Sequence, residues 1–345
     1  MNPSLTVLDV GHGSCSILRD AGRTAVFDCA RKASLLSYLV SEGIREVDVV
    51  IISHADEDHI GGLVGLLGSE EFVVRHIVIN ADSVKGTRIW EDLKFVLNAK
   101  FNDGKIKISG SMPGFFGDWP GASTRFEVIA PSVGLVLTGS GGDFKGKKVS
   151  TNSMSVVVRI HCGEDPVALL GGDMDDITLS DILENGRQMI APYLIFPHHG
   201  GKIGGADLAE FVKALLGSVR PKFIAFSNGR EKYDTPQPEI IDAIKDFGGI
   251  RVGCTQLSKR CSAEIATASQ SWRSSKISVG AEKGLCCAGT IEIDLPMEAI
   301  AAPKTEGYRN FVDSLPAALC GKLPKQDQVV ATVPVSFLKI KSTLH

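Results

Sequence analysis

No apolar run in this chain approaches the roughly 18 residues a helix needs to cross a bilayer, which argues against a membrane span. Charge of one sign is not in excess either. Lys and Arg number 37 against 40 Asp and Glu, a net −3, so no global basic field draws the protein to nucleic acid or anionic lipid. Any polyanion would have to be held by local patches or by metals. Cysteine is sparse at eight in 345 residues, too few for a disulfide-built scaffold, and most of these thiols read as small buried hydrophobes. Met1-Asn2-Pro3-Ser4 leads straight into a strand-like segment without the basic and apolar regions of a secretory leader, so cytoplasmic residence is the expectation. There is no internal repeat and no low-complexity linker. What remains is an ordinary globular composition, 43% hydrophobic and 22% charged, in a chain long enough for one large core or two small ones.

Against that plain background one stretch stands out, Ser53-His54-Ala55-Asp56-Glu57-Asp58-His59-Ile60-Gly61-Gly62. It follows the β-branched run Val47–Ile52, a buried-strand pattern, and precedes Leu63-Val64-Gly65-Leu66-Leu67, which reads as a helix start. The imidazoles and carboxylates therefore lie on a loop from strand to helix, where α/β proteins place their sites. Carboxylates crowded at the positive end of a helix repel one another, and divalent cations relieve that repulsion most directly.

The same form recurs along the chain. Strands are expected at Leu5–Val10, Cys15–Leu18, Thr24–Phe27, Phe72–Ile79, Met154–His161, Val167–Leu170, Tyr193–Phe196, Phe223–Phe226 and Thr290–Leu295. Helices are expected at Ser34–Ser41, 84–100, Leu208–Leu216 and Pro238–Phe247, with surface loops at the Gly-rich stretches 110–121 and 139–146. Asp173, with Asp175 and Asp176 behind it, follows one strand, and His198-His199 follows another. Alone, each would be a turn or a helix cap. Three strand-end clusters in one chain instead suggest sheets covered by helices with the chemistry at one edge. They offer enough ligands, His54, Asp56, Asp58, His59, Asp173 and a His of the pair, for two cations with open positions for water.

Four segments carry a family resemblance: "LDVGHGSCSIL" followed by "FDCA", "SHADEDHIGG", "NSMSVVVRI…ALLGGD" and "FPHHGG". In order and spacing the chain resembles a metallo-β-lactamase-fold hydrolase, and within that fold the ComEC-like competence-protein hydrolase domain. The resemblance covers residues 5–201 and extends weakly to about 295 through "FIAFSNG", "VGCTQLS" and "GTIEI". It implies an α/β fold, a four-layer αββα sandwich over residues 1–300, with 301–345 as a short C-terminal extension that could form a helix and strand or meet a protein partner. It also implies two divalent metals, Zn or Mn. His54 and Asp56 would serve one metal and Asp58 and His59 the other. Asp173 would bridge them, His198 or His199 would complete the shell, and Asp28 would orient it. Asn152 is the position for a supporting or substrate role. His54 and Asp58 are the residues on which catalysis should depend most directly.

Several positions depart from the family pattern. Asp56 stands where the general family has His and where the competence-protein branch has Asp, and this oxygen donor hardens the site so that Mn²⁺ stands level with Zn²⁺. His12 and Ser14 replace the usual Gln and Asp, and Thr235 before Pro236 replaces a His. Lys202, Ser227, Asn228 and Arg230 remain as candidate phosphate contacts, with a solvated surface as the first expectation for each. The reading that follows is a phosphodiesterase or nuclease acting on DNA, RNA or a nucleotide through a metal-activated hydroxide. A carbonyl hydrolase for lactams, lactones or thioesters and a metal-stabilised interaction module are the alternatives. Residues 254–287 read as a polar insertion bracketed by Cys254, Cys261, Cys286 and Cys287, where unlinked thiols are the first expectation, with a disulfide or a structural zinc less favoured.

Overall fold

The β-branched runs assemble into two seven-stranded sheets and one small hairpin. A computed structural model describes residues 2–322 apart from 32, 118, 205–206, 231–232, 265–271 and 296–305. In chain order the strands begin with β1 (Ser4–Val7), β2 (Ser16–Asp20), β3 (Arg23–Phe27), β4 (Glu46–Ile51), β5 (Val73–Val78) and β6 (Lys107–Ser109). Next come β7 (Gly114–Phe116), β8 (Thr124–Ala130), β9 (Asp143–Phe144), β10 (Lys147–Lys148) and β11 (Val157–Cys162). The series ends with β12 (Asp165–Leu170), β13 (Tyr193–Ile195), β14 (Phe223–Phe226), β15 (Arg251–Cys254) and β16 (Ile291–Asp294).

The first sheet runs β16-β1-β2-β3-β4-β5-β6 and the second β15-β14-β13-β12-β11-β8-β7. Each sheet has an antiparallel part and a parallel part. The pairs from β3 to β6 and from β12 to β15 are parallel, with Phe27 opposite Ile51 and Leu170 opposite Ile195.

The period-two pattern decides which face meets what. Leu18, Ala25, Phe27, Val49 and Ile51 point into one core shared with the second sheet. Ile17, Val26, Val50 and Ile77 belong to the other, under the helices α1 (Ser34–Ser41), α2 (Glu57–Ile60), α3 (Leu63–Gly68) and α4 (Arg88–Asn102). The shared core continues through the second sheet. It takes in residues of α6 (Asp176–Glu184), α7 (Leu208–Val219) and α8 (Pro238–Phe247), while the short α5 (Val133–Thr138) belongs to a small satellite cluster. The result is four layers, αββα, as the resemblance implied.

Some details differ from the sequence expectation. The first strand ends at Val7 because Asp9 turns the chain, its Oδ1 accepting from the Gly11 N–H at 3.1 Å. The two Gly-rich stretches are not only loops: β7 lies in the first and the β9–β10 hairpin in the second. Strand β8 and helix α6 lay unassigned in the sequence, although Phe126 and Val128 alternate with Arg125 and Glu127 as a half-buried strand should.

Among its described residues the Cys-bracketed segment holds α9 (Val279–Glu282). All eight cysteines are unlinked. Adjacent Cys286 and Cys287 point apart, one sulfur 3.1 Å from Ser278 Oγ and the other 3.3 Å from the Tyr308 hydroxyl. Helix α10 (Glu306–Ser314) in the C-terminal extension buries Tyr308, Phe311 and Val312 in the shared core, with Phe311 stacked on Trp272. The strand expected farther along falls outside the described residues. No helix among the described residues is long and apolar enough to cross a membrane.

Asp9 ties the ends of the domain together. Its buried carboxylate accepts from Gly11 N, Gln256 Nε2 at 2.9 Å, Ser278 Oγ at 2.6 Å and Gly280 N at 2.8 Å. Asp9→Ala strands those donors in the interior and should cost about 3 kcal/mol, read as a lower urea midpoint at unchanged slope. A loss below about 0.5 kcal/mol would show that Asp9 is not an anchor.

Candidate metal centre

The parallel strands of both sheets deliver their C-terminal ends to one edge, and each end carries a polar turn. Asp28 follows β3, His54 and Asp56 follow β4, Asp173 follows β12, His198 and His199 follow β13, and Ser227 follows β14. Asp58 and His59 lie not on an open loop but on the single helical turn α2. Three of these residues, Asp28, His198 and His199, hold left-handed backbone with φ of 61°, 55° and 55°. Such conformations cost on the order of 1–3 kcal/mol each and persist where the surroundings fix them.

Hydrogen bonding settles which ring atoms face inward. His59 Nδ1 donates to Asp28 Oδ2 at 2.7 Å, and His199 Nδ1 donates to the Ser227 carbonyl at 2.8 Å. Ser53 Oγ gives its proton to Asp28 and so accepts from His54 Nδ1 at 2.9 Å. All three imidazoles therefore turn an Nε2 lone pair toward the centre, the arrangement in which a second partner fixes a metal-binding histidine. There His59 Nε2 lies 3.3 Å from His199 Nε2 and 3.3 Å from Asp173 Oδ1. His54 Nε2 lies 3.8 Å from Asp173 Oδ2. His54 Nε2 and Asp173 Oδ1 are buried without a hydrogen-bond partner. Acceptors aimed at one another need a positive charge between them. Four donors on a tetrahedral ion at 2.0–2.1 Å stand about 3.4 Å apart, so these spacings fit a divalent cation.

Two triads have their ligand atoms within 4.8 Å of one another: His54, His59 and Asp173, and His12, Asp58 and His199. Of the residues singled out in the sequence, His54, Asp58, His59, Asp173 and His199 thus converge. His198 touches the group through Nδ1, which donates to Asp173 Oδ2 at 2.7 Å. Asp56 belongs to neither triad; it lies 3.7 Å from His54 Nε2 and forms an ion pair with Lys85. Asn152 sits half-buried in a short turn whose carbonyl accepts from Ser155 N. Ser155 Oγ in turn reaches His54 Nδ1 at 3.3 Å and the Asp173 N–H at 3.0 Å.

Lys202 is exposed just beyond the His pair. Ser227 Oγ donates to the Gly13 carbonyl, and the Asn228 amide donates to the carbonyls of Thr235 and Gln256. The expectation of a phosphate contact at Arg230 is corrected: its buried guanidinium is committed to the carbonyls of Leu257, Ser262 and Ala263. His12, Lys85, Ser53 and Ser155 entered the site without being singled out as ligands or supports. Only the unusual His at position 12 gave a signal in the sequence.

The charges are strongly coupled. Burial pushes the Asp56 carboxyl up, but His54 and Lys85 outweigh it and bring it down to about 2. Burial likewise opposes ionisation of Asp58 and Asp173, yet the surrounding imidazoles hold both well below the usual carboxylate range. Burial would lower His59, but Asp173 and Asp28 raise it well above an ordinary imidazole, and Asp173 raises His198.

Residues 8–174 match the family model described as the Metallo-beta-lactamase superfamily. Competence protein ComA of Neisseria gonorrhoeae is 22% identical over 251 residues, covering 71% of this chain and 30% of that protein. Ribonuclease Z of Anoxybacillus flavithermus is 31% identical over 114 residues, covering 25% of this chain and 36% of that protein. The chain thus spans about a third of the length of these curated relatives. Among solved structures, the metallo-beta-lactamase fold protein YhfI from Bacillus subtilis superposes with a TM-score of 0.44 at 13% identity, covering 74% of this chain and 97% of that one.

Without a cation, the pocket draws a proton onto His59. That protonation stabilises the fold fully below the unfolded value near 6.5 and is lost as pH rises through the raised folded value. A cation needs the same lone pair. Loading the metal-free protein should therefore release protons at neutral pH, and affinity should climb as pH rises. Calorimetry in buffers of different ionisation enthalpy measures the release; none at neutral pH would contradict the convergence of lone pairs.

Proposed function

We propose that this protein, whose residues 8–174 match the Metallo-beta-lactamase superfamily model, is a metal-dependent hydrolase of phosphodiesters, a nuclease or nucleotide phosphodiesterase. The observation that carries the reading is the convergence of buried, acceptor-only atoms at the sheet edge, with His54 Nε2 and Asp173 Oδ1 left without partners. Divalent cations held there, Zn²⁺ or Mn²⁺, would polarise a phosphoryl oxygen and lower the pKa of a water. The chain's own residues supply the rest. Asp28, Ser53 and the Ser227 carbonyl fix the three ring orientations, and His198 steadies Asp173.

The charge at the centre admits an anionic substrate. Asp28, Asp56, Asp58 and Asp173 bring four carboxylates to the centre, while Glu57 is engaged by Arg31. Two divalent cations together with Lys85 would outweigh them by one, and the hydroxide those cations generate would take up that charge, so no excess negative charge would oppose a phosphodiester. The likeness of a segment to ribonuclease Z points the same way.

The test is release of nucleotides from single- and double-stranded DNA, RNA and cyclic nucleotides by the full chain with Mn²⁺ or Zn²⁺. Asp173→Asn should reduce turnover at least about 100-fold. Lys85→Met should raise KM about tenfold or more. Protein that retains its metals and cuts none of these sinks the reading, and turnover of a chromogenic lactam or lactone above every phosphodiester would move it to carbonyl hydrolysis.

A further inference from the structure

The resemblance assigns His54 and Asp56 to one metal and Asp58 and His59 to the other, and gives the turn after the first strand no ligand. The geometry divides the donors differently. We propose that His12 is a ligand of the outer cation, completing a site with Asp58 and His199, while His54, His59 and Asp173 hold the inner one. This assignment rests on the reading of the centre as a two-metal site.

Three observations support it. His12 Nε2 donates to Asp58 Oδ2 at 2.8 Å, His199 Nε2 lies 3.6 Å from the same oxygen, and the three ligand atoms lie within 4.8 Å of one another, close enough for one cation to replace the shared proton. His59 Nε2 lies between the two groups, 3.3 Å from Asp173 Oδ1 and 3.3 Å from His199 Nε2, while its Nδ1 is held by Asp28. Asp56 is neutralised by Lys85 and does not join either triad. Finally, the His12 turn is built into position. Its Ser14 N–H donates to the Asp58 carbonyl at 3.1 Å, and its Gly13 carbonyl accepts from Ser227 Oγ at 2.7 Å.

Two glycines permit that close seating. A Cβ at Gly13 would fall 2.6 Å from the Asp58 carbonyl oxygen, and one at Gly229 would fall 2.2 Å from the His12 nitrogen. Any other residue at either position would push the turn off the site. His12 is therefore held beside Asp58 before any cation arrives, so little ordering entropy opposes its coordination.

The two sites differ in access. His54 and His59 are fully buried and Asp173 and His199 are each 6% exposed, whereas His12 and Asp58 are 13% and 18% exposed, so the outer group opens to solvent on its His12 and Asp58 side. The outer cation lies on the solvent side and should exchange first.

The experiment is metal titration of the chelator-stripped full chain with Zn²⁺, with bound metal counted after gel filtration. Wild type should bind two cations in two resolved steps. His12→Gln should leave the tighter step unchanged and weaken the other at least about 100-fold, so that only one cation survives gel filtration. Retention of both cations by a folded His12→Gln protein overturns the assignment. Wild-type crystals soaked in Zn²⁺ give a readout that does not depend on the variant's folding. An anomalous peak about 2.0–2.1 Å from His12 Nε2 supports the assignment, and a second peak without His12 in its shell overturns it. Failure of the functional reading is separable: two bound cations, one on His12, with no phosphodiester cut would remove the proposed substrate and leave the ligand in place.

Discussion

The centre depends on one constraint: lone pairs and carboxylates face one another across distances that only a positive charge makes tolerable. His59 Nε2 is 3.3 Å from both His199 Nε2 and Asp173 Oδ1, in a setting where His59 itself is fully buried. In the protein alone a proton fills that role, which is why His59 binds one so readily despite its burial. A divalent cation fills it better, because it can accept lone pairs from several donors at once whereas a proton bridges two.

That constraint explains the architecture around it. Each inward-facing imidazole is oriented by an acceptor at a strand end: Asp28 after β3 orients His59 and the Ser227 carbonyl after β14 orients His199, both from a neighbouring strand, while Ser53 orients His54 from the same strand end, that of β4. These acceptors keep their spacing because the strands that carry them are paired in fixed register, Phe27 with Ile51 and Ile195 with Ala225. The left-handed backbone at Asp28, His198 and His199 is the local strain accepted to aim these side chains.

Much of this was legible in the sequence, for identifiable reasons. Helices Ser34–Ser41 and Pro238–Phe247 have the ends their flanking residues indicate. The strand before the His-rich loop is displaced by one residue, Glu46–Ile51 against Val47–Ile52. Three ligand clusters at strand ends were visible because metal ligands of one short loop are adjacent in sequence. His12 was visible only as a departure from a family pattern, since its partner Asp58 is distant in the chain and their contact depends on the glycine seats at Gly13 and Gly229. Arg230 misled in the other direction. A cation after Asn228-Gly229 suggests an anion contact, but backbone carbonyls of a distant segment capture it. Asp56 was placed among the ligands by its spacing, and the cation it meets in this structure is Lys85, which comes from a turn held by Asp82.

On the proposed two-metal reading, Lys85 and His12 would give the two cations unequal consequences. An inner cation with Lys85 would leave the four carboxylates one charge in excess, which would oppose a phosphodiester. An outer cation would remove that excess, and the hydroxide it helped to generate would leave the centre neutral. His12 would support that change without altering the charge count, because a neutral imidazole, like the Gln found at this place in the family pattern, adds a donor and no charge. An Asp at the same position would bind the outer cation with more charge but would restore a negative excess. A neutral nitrogen ligand on the solvent side would thus strengthen the outer site and still admit phosphate.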